Sequence, residues 1–224
     1  MAETDRFRSF RDATQGDRLG TIRLVPHRST LKTAMNTCLL VIDVQESFRH
    51  RDFFTENALP TFLAAQNALI EGCRAAGVPI VRILHSAGPQ TAENPFSHAS
   101  GHVRPLDGLV AFEPAASFVK SRHSALVGTG LDVWLTEYRI DRLIVSGIRT
   151  EQCCETTTRH ASDLGWKVDF VPEATLTWDM VQPDGRVLSA ADIQVRTATV
   201  MQHRFATLCT AGQALARIGA PVAA

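Results

Sequence analysis

The chain lacks an excess of charge of either sign: Lys plus Arg and Asp plus Glu each number 23 in 224 residues. That balance removes the electrostatic case for nucleic acid or an anionic membrane as the main partner. No apolar run approaches the ~20 residues needed to span a bilayer. The first twenty residues have no apolar stretch of the secretory kind, and Glu3, Asp5 and Asp12 argue against a transit peptide. The expectation is a cytoplasmic protein. Cysteine is scarce as well. Cys38, Cys73, Cys153, Cys154 and Cys209 are odd in number and form no C-x-x-C pair. Reduced thiols, one of them functional, fit that count better than a disulfide framework. No internal repeat, low-complexity tract or Gly/Ser linker divides the chain.

What is present suffices for one large α/β domain, because 45% of the residues are hydrophobic. Residues 1–34, with Arg6, Arg8, Arg11, Arg18, Arg23 and Arg28, read as an extension, and 35–224 as the domain. Branched apolar runs predict strands at 37–43, 78–84, 117–120, 142–146, 167–171 and 206–209. Helical spacing marks 59–76, 131–138, 151–164, 189–202 and 211–218. Strands alternating with helices imply parallel βαβ units and a sheet covered on both sides. Residues 85–112 and 174–188 read as loops, the first long enough for a lid or a subunit contact.

The stretch from Val145 to Thr157 reads as the end of a buried strand, a turn at Gly147 and the start of a helix. Thr150 is the expected N-cap and Glu151 the first-turn acid. A cysteine in that first turn meets unpaired N–H groups and the positive end of the helix dipole, which favours a thiolate. Locally, packing explains Cys153 at least as well. Two other residues change that balance. Asp43 ends the first strand and Lys120 the third, and the carboxyl ends of parallel strands converge on one sheet edge. A thiol needs a base, and a buried carboxylate can serve; a lysine beside them stabilises the developing charge.

Three stretches carry a resemblance to a known family: Leu39 to Phe48 around Asp43, Val119 to Ala125 around Lys120, and Gly147 to Thr157 around Cys153. In this order the chain resembles the isochorismatase-like cysteine hydrolases, whose members include nicotinamidases and N-carbamoylsarcosine amidohydrolases. The resemblance implies a Rossmann-like three-layer α/β/α fold with a six-stranded parallel sheet in the order 3-2-1-4-5-6. It implies Asp43 as base and proton shuttle, Lys120 as the cation, and Cys153 as the nucleophile of a thioester acyl-enzyme. It also implies a cis peptide at Ile148–Arg149, with the backbone N–H groups of Arg149 and Cys153 as oxyanion hole. The expected activity is metal-independent cleavage of a C–N bond in a small amide or ureido or carbamoyl compound, without a cofactor. Alternatives are an isochorismatase-type vinyl-ether hydrolase, which needs no thiol, and a non-catalytic binding member. A homodimer or homotetramer is implied, with the N-terminal arm and 85–112 as contact surfaces.

Departures from the family pattern narrow this expectation. The Asp-x-His metal motif of nicotinamidases falls on His85-Ser86-Ala87, so no metal is expected. His98 and His102 have ligand spacing but read as loop histidines. Gln45, Phe48, His85, Arg149 and Trp178 are the candidate substrate-binding residues. Each has a structural reading beside it: Gln45 fixing a loop, Phe48 and Trp178 packing in the core, His85 satisfied internally, and Arg149 folded away. Cys154 is expected to point into the core.

Overall fold

The computed structural model describes residues 36–220. The expected extension at 1–34, with its six arginines, lies outside the described residues. Thr37–Ile42 forms β1, and every residue in it is buried. A parallel strand in the middle of a sheet needs apolar side chains on both faces, and this one has them. Leu39 and Val41 enter one core with Phe62, Leu69, Ile70 and Leu215. Leu40 and Ile42 enter the other with Ile83, Leu131, Leu135, Val145 and Phe170. The alternation along β1 thus defines two cores, one on each side of the sheet.

The other main strands are β2 (Ile80–His85), β3 (Ala116–Lys120), β4 (Arg142–Ile148) and β5 (Lys167–Leu176). A two-residue hairpin, β6 (Met180–Val181) with β7 (Val187–Leu188), precedes the last strand, β8 (Thr207–Leu208). The large sheet is parallel throughout and runs β3-β2-β1-β4-β5-β8. This is the expected order, since the hairpin lies outside that sheet. Helices α1 (Leu59–Ala75) and α5 (Ala211–Arg217) contribute to the first core. Helices α2 (Leu131–Glu137), α3 (Glu155–Asp163) and α4 (Ala190–Met201) contribute to the second. Local signals set several ends. Ser189 and Thr210 accept hydrogen bonds from the first turns of α4 and α5, Thr210 within a capping box with Gln213.

Three features depart from the sequence reading. The helix expected from Glu151 opens instead as a π-helical turn, Thr150–Cys154, before α3 begins. Thr150 does not cap it; its hydroxyl donates to Thr175 Oγ1 at 2.9 Å, and Arg149 occupies the cap position. A buried hydroxyl beside another strand finds its partner there rather than on its own backbone. Strand β5 continues past residue 171 because the chain bulges around Pro172 and resumes pairing at Thr175↔Gly147 and Leu176↔Ile148.

Candidate active site

Pairing of β1 with β4 brings the first and third of the family-like stretches together. Ile42 lies opposite Gly147. The backbones approach so closely that a Cβ on Gly147 would stand 1.9 Å from Ile42 O, and Gly147 has φ +133°. No side chain fits at that position, which accounts for a glycine near the end of β4, six residues before the cysteine. The next peptide but one, Ile148–Arg149, is cis, as the resemblance implied. Asp43, just past β1, takes a left-handed backbone with φ 53° and donates its N–H to Ile83 O at 2.8 Å.

Lys120 joins these pieces. Its Nζ lies 2.7 Å from Asp43 Oδ2 and 3.2 Å from Cys153 Sγ. It also lies 3.1 Å from His85 Nδ1 and 3.1 Å from Arg122 O. An ammonium has three N–H donors, so these four acceptors leave it nothing to offer a further ligand. Asp43 is 0% exposed, Lys120 1% and Cys153 6%. The three residues nominated by sequence thus form one sealed cluster.

Its electrostatics follow from that sealing. Burial raises Asp43 above the usual carboxylate range despite the opposing Lys120 charge. Burial also pulls on Lys120, but the charges of Asp43 and Cys153 outweigh it and hold the ammonium up. The thiol of Cys153 is pushed up to about 12, first by burial and then by the Asp43 charge, with Lys120 opposing. This corrects the expectation of a lowered value: water exclusion and the neighbouring carboxylate exceed the helix-terminus effect. His85 falls to about 4, through burial and then the Lys120 and His123 charges. Facing an ammonium, its Nδ1 accepts, which leaves the ring proton on Nε2.

The other nominated residues are close by but internally engaged. Gln45 receives the His85 N–H on Oε1 at 2.7 Å, and its Nε2 donates to His85 O and Ser47 Oγ. Its amide extends the pairing beyond β1 and fixes the loop after Asp43. Phe48 stacks on Trp178 and meets Phe96 edge-on, while the Trp178 indole donates to Thr55 O. Arg149 is 7% exposed. Its Nε pairs with Glu151 at 3.0 Å and bonds Thr177 Oγ1, its Nη2 donates to Trp178 O, and its guanidinium lies over Phe53 and Trp178. The side chain has folded inward. His102 stacks on His50 at 3.6 Å. Cys154 is fully buried in the core, as expected. A cavity of about 410 Å³ lined by Arg142, Trp166, Lys167 and Phe205 opens at the amino ends of β4 and β5, the edge opposite Asp43 and Cys153.

One neighbour was not singled out from sequence. His123 is exposed, yet its Nδ1 lies 3.9 Å from Cys153 Sγ. It falls within the stretch after Lys120 that carries the resemblance. The signal available was its place three residues beyond the lysine, at the sheet edge where the site forms.

Comparison with known proteins gives a consistent picture. A family model described as "Isochorismatase domain" matches residues 37–211. An uncharacterized isochorismatase family protein, YrdC of Bacillus subtilis (strain 168), is 25% identical over 181 residues, 78% of this chain and 92% of its own. Nicotinamidase 3 of Arabidopsis thaliana is 30% identical over 153 residues, 63% of this chain and 73% of its own. The crystal structure of a provisionally assigned isochorismatase from Burkholderia xenovorans LB400 superposes with TM-score 0.75 at 30% identity, covering 85% of this chain and 92% of that one.

Proposed function

The chain belongs to the isochorismatase family of hydrolases, and within it we propose a cysteine hydrolase that cleaves the C–N bond of a small amide, ureido or carbamoyl compound. The observation that carries this reading is the Lys120 ammonium, which touches Asp43 at 2.7 Å and Cys153 at 3.2 Å in a sealed site. A binding role needs no such arrangement of base, cation and thiol. A relative named as a nicotinamidase adds the amide bond to the reading.

Cys153 waits as a neutral thiol, and Asp43, raised by burial, is a better base than an ordinary carboxylate. As Sγ attacks the carbonyl carbon, its proton passes to Asp43 and Lys120 balances the charge that moves between them. The oxyanion is assigned to the backbone N–H groups of Arg149 and Cys153. The C–N bond then breaks, the nitrogen leaves protonated, and water hydrolyses the thioester.

The test is ammonia release from a panel of small amides, carbamoyl compounds and ureido acids. The expected result is that Cys153→Ala loses turnover by roughly 10⁴-fold or more while keeping its fold by circular dichroism. Full activity in that variant would overturn the reading in favour of thiol-independent hydrolysis.

A further inference from the structure

Lys120 has three N–H groups and meets four acceptors: Asp43 Oδ2 at 2.7 Å, His85 Nδ1 at 3.1 Å, Arg122 O at 3.1 Å and Cys153 Sγ at 3.2 Å. One of the four must go without. A carboxylate forms a charge-assisted pair with an ammonium, and a backbone carbonyl and a neutral imidazole nitrogen are good acceptors. The sulfur of a neutral thiol is a weak one. The thiol is neutral in the resting protein, since burial and then Asp43 push it up to about 12. The sulfur is therefore the one left out, and the third N–H rests on His85. Once the thiol gives up its proton, Sγ becomes an anionic acceptor and the order reverses.

The fold holds His85 in that place from several sides. It is the last residue of β2 and stands opposite Lys120 where β2 pairs with β3. Gln45 clamps its backbone at both polar atoms, accepting the His85 N–H on Oε1 at 2.7 Å and donating from Nε2 to His85 O at 3.0 Å. The next residue, Ser86, donates its N–H to Lys120 O at 2.9 Å. The imidazole is partly buried and meets Phe96 edge-on, with ring centroids 5.7 Å apart. Burial and then the Lys120 and His123 charges hold it at about 4. At neutral pH the ring is uncharged and free to accept.

Resting on the cysteine-hydrolase reading above for the role of the thiolate, we infer that His85 is a positioning residue that acts through Lys120: it takes the third N–H of the ammonium while Cys153 is a thiol and yields it to the sulfur as the thiolate forms. The proton of the thiol still passes to Asp43, and His85 itself neither gains nor loses one. Forming the thiolate thus costs the hydrogen bond between ammonium and imidazole. That cost keeps the resting sulfur protonated and unreactive. A side chain at 85 without an acceptor leaves the third N–H to the sulfur at all times. The other charged and titratable groups around Sγ are Asp43 beyond β1 and His123, whose Nδ1 lies 3.9 Å away. Arg149 and Glu151, beside Cys153 in the chain, pair with each other, and Arg122 turns its guanidinium onto Ser121 O.

The experiment alkylates the full chain with iodoacetamide and maps the labelled peptides by mass over time. The rate at Cys153 is divided by the rate at Cys209, which is equally buried at 6% exposure, so that a general loosening of the fold cancels. In His85→Leu this ratio is expected to rise about 3- to 10-fold. Loss of one hydrogen bond to a charged group moves the thiol down by roughly one pH unit, and the lower basicity of the sulfur takes back part of the gain. The rise should persist as a parallel offset from pH 7 to pH 9, because the Cys153 thiol titrates well above that window. Asparagine has nearly the shape of leucine but places Oδ1 where Nδ1 stood, so His85→Asn should keep the wild-type ratio. Should leucine disturb the fold, His85→Phe repeats the test with a ring that offers no acceptor. An unchanged ratio in the acceptor-free variants means that the third N–H is not shared, and a ratio in His85→Asn as high as in His85→Leu means that shape rather than the acceptor matters. Either result overturns the assignment of His85. Alkylation needs no substrate, so turnover in Cys153→Ala decides the cysteine-hydrolase reading separately.

Discussion

Cys153 shows how two opposing effects on one thiol are decided by burial. Its position near a helix start argues for a lowered pKa, and such effects are typically about 0.3–1 kcal/mol at exposed termini. Exclusion of water and the adjacent Asp43 act the other way and raise it to about 12. Lys120 offsets only part of that. The free enzyme should therefore hold an unreactive thiol until substrate lets the proton move to Asp43. Cys209 is as exposed as Cys153, at 6%, and its thiol is raised only to about 11. Iodoacetamide at neutral pH is thus expected to label Cys153 slowly, with no preference over Cys209, and peptide mass mapping of a time course reads this directly. Rapid, selective labelling of Cys153 would mean that Lys120 governs the resting thiol after all. Asp43, Lys120 and Cys153 themselves were legible in the sequence, because strand ends and residue types announce them. His123 was not singled out, since its one signal, a place three residues beyond Lys120, does not tell which loop side chain comes within 3.9 Å of the sulfur.

Among elements, the strands and helices were legible wherever one residue type repeats at a fixed period. β1, α1 and β2 fall within two residues of expectation at either end. Legibility failed where tertiary partners override local signals. The fifth strand reads as ending at residue 171, but a bulge carries it on to pair with Gly147 and Ile148. Thr150 reads as a cap, but Thr175 on that extended strand takes its hydroxyl. The π-helical turn at Thr150–Cys154 thus depends on β5 and on the segment after it, which Arg149 grips through Thr177 and Trp178. The guanidinium also balances Glu151, whose side chain is only 12% exposed. Removing the cation alone strands a carboxylate in a site with little water, at a cost of about 3 kcal/mol. Arg149→Met is expected to lose about that much in urea unfolding, and Arg149→Met with Glu151→Gln to recover a good part of it. Additive losses in the double variant would show that the pair is not coupled.

Across the whole molecule, the five cysteines act together even though only one is assigned to chemistry. All are buried, and burial raises every one of their thiols. Cys73 stands at about 12 and Cys209 at about 11, against an ordinary value of 9.0. The sign of the consequence follows from proton counting. Above pH 9 the unfolded chain releases thiol protons that the folded protein still holds, so stability falls as pH rises. The contribution of each thiol is fully present below its unfolded value and is lost up to its folded value, at about 1.4 kcal/mol per pH unit while only the unfolded thiol is ionised. Several thiols titrating over one window amount to a steep loss for a fold whose net stability is typically about 5–15 kcal/mol. The melting temperature should therefore drop sharply between pH 9 and pH 11, in a range where a disulfide-bonded fold of this size would have no thiols to lose. Cys73→Ala isolates one contribution. It lies on the buried side of α1 in the first core, so its removal lowers stability at pH 8 through the cavity it leaves. It should also flatten the alkaline slope by one thiol's share. A melting temperature that stays level to pH 11, or a slope unchanged in Cys73→Ala, would contradict the burial that sets these thiols.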